Sequence, residues 1–210
     1  FFLKYNNTMS KKYPRDIIGY GSKRIDVKWP NNAKLALQIV LNYEEGAEKS
    51  VLHGDKHSET FLSEIIGAAP IKGRHISMES IYEYGSKAGF WRLDKLFKEK
   101  KIPVTIFGVG LALKQNPEVC EAIKKGNYEV AAHGYRWIDY QNIKKSVEKK
   151  HMKQAINTIK EIFGSRPLGW YTGRCSPNTR DLVFDDGNFM YDSDSYSDDL
   201  PYWEYRGKKK

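Results

Sequence analysis

Five short apolar stretches alternate with segments of helical periodicity, and that alternation constrains the fold more than any other feature of the chain. Residues 34–41 (Lys34-Leu35-Ala36-Leu37-Gln38-Ile39-Val40-Leu41), 104–109, 128–132, 168–171 and 189–192 read as strands. Apolar runs with little in-out alternation suit strands buried on both faces. Between them, residues 78–100 read as helical, with Phe90, Trp91, Leu93, Leu96 and Phe97 on one face and Gly85 and Gly89 dividing the segment. A helix carrying Val119 and Ile123 is stopped by Gly126. From 146 to 163, Val147, His151, Met152, Ala155, Ile156, Ile159 and Phe163 recur at three and four residues, and Gly164 closes the helix. Ser176-Pro177 opens another, with proline in its first turn. A β-α-β-α order of this kind calls for a parallel sheet covered by helices. The opening, up to Trp29-Pro30, reads as an irregular arm, and residues 47–76 as a long polar excursion.

Parallel α/β folds gather their active sites at the carboxyl ends of the strands. Here those ends carry Glu44 and Glu45, His133, Arg174, and Asp192 and Asp194. Four separate strand ends bearing polar side chains favour a barrel over an open sheet. Neighbouring strand residues point in opposing directions, so one of Glu44 and Glu45 faces the mouth as a general base, its pKa raised by the other carboxylate. The same pair also reads as a solvated acidic turn. His133 reads either as a catalyst or as a hydrogen-bonded structural residue. Arg174, in a tight turn after Gly173, reads as an anchor for a carboxylate or oxyanion, or as half of an ion pair with Asp192.

Composition narrows the classes. The chain has 210 residues, 40% hydrophobic and 13% aromatic, enough to bury a core. No apolar run approaches the roughly 20 residues of a membrane span. Thirty-five basic against 26 acidic residues give a net charge of +9, but the lysines are scattered and form no basic stripe, so no nucleic-acid partner is expected. The N-terminal residues from Phe1 to Asn7 are too short and polar for a signal segment, and Met9 reads as a possible start. Two cysteines, Cys120 and Cys175, make no disulfide framework and suit the cytoplasm. Gly108-Val109-Gly110 follows a strand, but Leu113 stands where a dinucleotide fingerprint needs glycine. His53 and His57 have helical metal-ligand spacing, but Gly54 and Asp55 between them disfavour a helix.

Four blocks in order, Asn42-Tyr43-Glu44-Glu45-Gly46, His133-Gly134-Tyr135-Arg136-Trp137-Ile138-Asp139, Gly169 through Thr179 and Tyr191-Asp192-Ser193-Asp194-Ser195-Tyr196, resemble the polysaccharide deacetylase superfamily. Tyr13-Pro14-Arg15-Asp16 and the segment from Met78 to Gly85 resemble the branch of metal-independent, deacetylase-derived allantoinases. The resemblance implies a distorted (β/α) barrel, incomplete here with about five of seven strands. It implies an arm over 1–30, a catalytic domain over 31–203 and a non-family basic tail over 204–210. It implies hydrolysis of a carbon–nitrogen bond other than a peptide: of a cyclic amide, or alternatively of an N-acetylated cell-wall or chitin-like sugar. A third reading, of another class, is an inactive fragment of a split gene. It also suggests a homo-oligomer, and further strands beyond the last block.

In the metal-dependent members of the superfamily, the first block supplies a base and a metal ligand, and the second supplies two histidine ligands. Here those positions hold Glu44 and Glu45, then His133 and Trp137. An indole nitrogen only donates, so no catalytic metal is expected. By the same resemblance Glu44 is the base, Glu45 orients His133, and His133 and Arg174 stabilise the oxyanion or leaving nitrogen. Asn42, Tyr171 and Asp194 are expected to bind substrate, with Trp137 as an aromatic wall.

Overall fold

The structure, a computed structural model, describes residues 3–4, 15–23 and 25–206. The possible start at Met9, the Tyr13-Pro14 pair and the Lys208-Lys209-Lys210 ending lie outside the described residues. The chain divides into two compact units: Phe1–Leu37 with Ser195–Lys210, and Gln38–Asp194. Residues 31–37 and 195–203 therefore group with the arm, where the sequence placed them in the catalytic domain.

In the first unit, β1 (Leu3–Lys4) and β7 (Tyr202–Trp203) pair in parallel. The Asp16 carboxylate accepts the N–H groups of Ile18 and Gly19, both at 3.0 Å, which folds an Asx turn.

The second unit is built on five parallel strands in the order β2-β3-β4-β5-β6. They are β2 (Val40–Tyr43), β3 (Thr105–Gly108), β4 (Glu129–Ala132), β5 (Gly169–Trp170) and β6 (Tyr191–Asp192). The spatial order follows the chain order without reversal, the winding of a barrel rather than of a doubly wound sheet. Among the described residues β2 pairs only with β3 and β6 only with β5, so the barrel is not closed. β3 and the two-residue β5 are buried along their whole length. β2 is an edge strand, with Val40 and Asn42 exposed and Tyr43 buried. It starts later than the apolar run does: Leu35 and Leu37, expected inside, are exposed.

The helices are α1 (Ile76–Tyr84), α2 (Phe90–Lys100), α3 (Gly110–Gln115), α4 (Pro117–Gly126), α5 (Lys145–Phe163) and α6 (Thr179–Asp186). Gly85 and Gly89 do not break α1 from α2; they bound one π-helical turn that joins them. On α2 the buried side chains are Phe90, Asp94 and Phe97, while Trp91, Leu93 and Leu96 reach the surface. Asp94 is satisfied by Lys98 at 2.7 Å and the Tyr128 hydroxyl at 3.0 Å. α3 has too few residues to show a period, and the sequence did not reveal it. Its Gly110 lies against α5, where a Cβ would come within 3.3 Å of the Ala155 Cα, so this glycine is a packing device. α6 starts at Thr179, not at Pro177. The Ser176 and Thr179 hydroxyls both donate to buried Glu148, and the Ser176 N–H donates to Thr179 Oγ1 at 2.8 Å, holding residues 176–178 in a turn.

The core between sheet and helices includes Ile106, Leu113, Val119, Ile123 and Ile159. Ile123 of α4 is fully buried there. Ile123→Ala is expected to lower stability by about 2–5 kcal/mol, read as a lower urea midpoint at unchanged slope.

Candidate active site

The site begins at the end of β2. Tyr43 points into the core, where its hydroxyl accepts from Asn116 Nδ2 at 3.0 Å and its ring meets Phe90 edge-on at 5.7 Å. Asn42 and Glu44 therefore share the opposite face. Asn42 Nδ2 donates to Glu44 Oε1 at 2.9 Å. Asn42, expected to touch substrate, holds Glu44 in place.

His133 continues β4, its N–H donating to the Gly108 carbonyl at 3.0 Å. Its ring is buried and stacked on Tyr171, with centroids 4.9 Å apart and planes at 16°. Nδ1 lies 2.8 Å from the Tyr171 carbonyl and Nε2 lies 3.0 Å from Glu44 Oε1. A carbonyl only accepts, so Nδ1 carries hydrogen and donates. The contact with Glu44 then needs one proton between Nε2 and Oε1. Glu44 Oε1 thus takes two hydrogen bonds, and Oε2 takes none among the described residues.

Glu45 does not reach His133; Glu44 fills that role. The Glu45 side chain turns the other way, and its Oε2 accepts the Glu44 N–H at 2.9 Å. Its carboxyl lies on Gly85, where a Cβ would come 2.3 Å from Oε1 and 3.0 Å from Cδ. The glycine that opens the π turn is therefore required by the carboxylate beside it. Burial first, and then the charges of Glu44 and Glu48, push the Glu45 carboxyl up to about 7. The main cause is desolvation rather than the neighbouring carboxylate the sequence suggested.

The second half of the site is the turn after β5. Asp194 is buried, and its two oxygens accept the N–H groups of Thr172, at 2.8 and 2.9 Å, and Gly173, at 2.8 Å. Asp194, expected to bind substrate, thus shapes this turn. Arg174 Nη2 donates to Glu59 Oε2 at 3.0 Å and to the Trp137 carbonyl at 2.9 Å. Its ion-pair partner is Glu59, not Asp192, whose carboxylate lies 3.7 Å from Arg180. The guanidinium carbon stands 4.1 Å from the Trp137 ring centroid. Trp137 is buried, between Arg174, Phe61 at 6.2 Å and Tyr82 at 5.9 Å. One indole face is thus covered by the guanidinium, which leaves less open wall than the sequence suggested. Tyr171 is in contact with His133 and with Phe107, at 4.8 Å. His53 of the rejected metal pair sits 3.0 Å from the Gly46 carbonyl through Nε2.

Three residues of this neighbourhood escaped the sequence analysis. Glu59 and Phe61 lie in the polar excursion, where no periodicity or spacing marks them. Glu48 is buried beside the β2 end and pairs backbone with Trp137.

Residues 73–184 match the family Polysaccharide deacetylase, just over half of the chain. The chain belongs to the polysaccharide deacetylase family. A Schizosaccharomyces pombe protein named for this family is 43% identical over 200 residues, covering 90% of this chain and 62% of the relative. The crystal structure of PuuE allantoinase superposes with a TM-score of 0.89 at 55% identity, covering 94% of this chain and 67% of that one. A Pseudomonas aeruginosa PAO1 structure, also named for the deacetylases, gives 0.87 at 57% identity, covering 91% of this chain and 64% of that one. The chain thus spans less than two thirds of the yeast and Pseudomonas deacetylase-family proteins.

Glu45 supplies a pH signature. In the unfolded chain it loses its proton near 4.5, and in the folded chain only near 7. The folded state holds the extra proton across that window, so its contribution to stability falls as pH rises through it, by about 3 kcal/mol at most. Urea midpoints between pH 4.5 and 8 are expected to fall more steeply in the parent chain than in Glu45→Gln.

Proposed function

We propose that this chain carries a carbon–nitrogen hydrolase site of the allantoinase kind, acting on a small cyclic amide, with Glu44 as general base. The observation that carries the reading is the Glu44–His133 hydrogen bond of 3.0 Å at the carboxyl ends of two parallel strands. Oε1 is fixed by Asn42 and His133, which leaves Oε2 to take a proton from water. The water oxygen bonds to the ring carbonyl carbon, and the negative charge moves to the carbonyl oxygen. Arg174 meets that charge with Nη1, which makes no hydrogen bond among the described residues, while Glu59 and the Trp137 carbonyl hold the guanidinium through Nη2. The carbon–nitrogen bond then breaks as the Glu44–His133 pair returns a proton to the leaving nitrogen. The net change is addition of one water and opening of the ring.

In this reading no metal takes part. A catalytic zinc ordinarily has three protein ligands. Trp137 offers no lone pair and lies under a cation, and both nitrogens of His133 are engaged. Among the described residues no three His, Cys, Asp or Glu side chains are grouped to hold a metal ion. The donor set does not fit a divalent metal. Cys120 and Cys175 are both free, which suits a reducing, cytoplasmic setting.

A second reading, deacetylation of an N-acetylated sugar, is favoured by the family match and the Pseudomonas relative. It uses the same attack on an amide carbonyl and differs in releasing acetate. Purified chain is expected to open a cyclic ureide, and Glu44→Gln to lose 10²–10⁴-fold in kcat; undiminished turnover in that variant removes Glu44 as base. Dialysis against a chelator is expected to leave turnover unchanged. Acetate release from chitin oligomers without ureide opening would transfer the assignment to the deacetylase reading, and no turnover of either would favour the inactive fragment.

A further inference from the structure

We infer that Tyr82 is an additional catalytic residue of this site, its hydroxyl donating a hydrogen bond to the amide oxygen of the bound substrate. The inference rests on the hydrolase reading and adds a residue to it.

The first observation is an unpartnered phenol. Tyr82 stands on α1 and packs partly buried against the core. Several tyrosines of this unit have their hydroxyls engaged, Tyr43 with Asn116, Tyr128 with Asp94, Tyr140 with His151 and Tyr191 with Glu129, whereas Tyr135, away from Trp137, has none among the described residues. The Tyr82 hydroxyl makes no hydrogen bond among the described residues, and it is not among the sealed, unpartnered atoms, so it opens onto solvent. A half-buried polar group without a protein partner calls for one from outside.

The second observation is its location. The Tyr82 ring lies edge-on to Trp137, with centroids 5.9 Å apart and planes at 64°. The same indole carries the Arg174 guanidinium at 4.1 Å, and its carbonyl accepts from Arg174. The phenol is therefore contiguous with the cationic half of the site. Burial first, then the charges of Glu44, Glu48 and Glu59, hold the Tyr82 proton on, with Arg174 opposing. Its O–H therefore stays a donor beside the Arg174–Trp137 pair. It transfers no proton. It supplies a second donor beside Arg174 for the oxygen on which charge develops.

Tyr82→Phe removes only the hydroxyl, which has no internal bond to lose, so the urea midpoint is expected to be unchanged. On a cyclic ureide the variant is expected to lose about 10²-fold in kcat with KM altered far less; equal kcat overturns the assignment. A second measurement does not need turnover. In chain labelled with [13Cζ]tyrosine and carrying Glu44→Gln, the Tyr82 resonance, identified by its loss in the double variant with Tyr82→Phe, is expected to shift when allantoin or N-acetylglucosamine is titrated in. A stationary resonance with both overturns the assignment. A shifting resonance in a chain whose parent hydrolyses neither compound retains Tyr82 as a ligand contact and overturns the hydrolase reading alone.

Discussion

The parallel register of β2, β3 and β4 is the constraint on which the site depends. Tyr43, Gly108 and Ala132 lie side by side across these strands. The residues that follow, Glu44 and His133, therefore leave the sheet at one level, two strand spacings apart, or roughly 10 Å. Two long side chains can close that distance, and they meet at 3.0 Å. A slip of one residue in either pairing would turn one of them to the opposite face. Tyr43 guards against the slip in β2, because its ring fills the core and its hydroxyl is tied to Asn116. The backbone bond from His133 to Gly108 does the same at the end of β4.

Two adjacent glutamates with unlike surroundings follow from the same geometry. Glu44 lies on the open face and is held by side-chain donors, Asn42 and His133. Glu45 lies against Gly85 and is desolvated there, which favours its neutral form. One π turn between α1 and α2 provides the space. The pair thus divides into a carboxylate facing the site and a half-buried acid that fixes the backbone beneath it. On the other side, Glu59 and the Trp137 carbonyl fix Arg174 over the indole. The cation thus stands over a ring whose nitrogen has no lone pair to offer.

Much of this was legible in the primary sequence because it depends on local pattern. The alternation of apolar runs and helical periods gave the parallel sheet, and the long period of α5 with Gly164 at its end gave that helix to within a residue. Strand-end position singled out Glu44, His133 and Arg174. The errors arose where a neighbour in space decides the outcome. Leu35 and Leu37 look like strand residues, yet pairing only begins near Ile39. Glu59 belongs to a polar stretch without period and acquires meaning only through Arg174, 115 residues away.

The amino-acid order by itself determined the fold class, the strand ends that bear reactive groups, and the indole in the second motif, since each is fixed by residue type and spacing along the chain. The tertiary structure alone decided which glutamate meets His133, which carboxylate binds Arg174, and that the Tyr82 ring packs on Trp137 with its hydroxyl unbonded among the described residues. Those outcomes depend on side-chain direction and desolvation, and both are set by contacts between segments far apart in sequence.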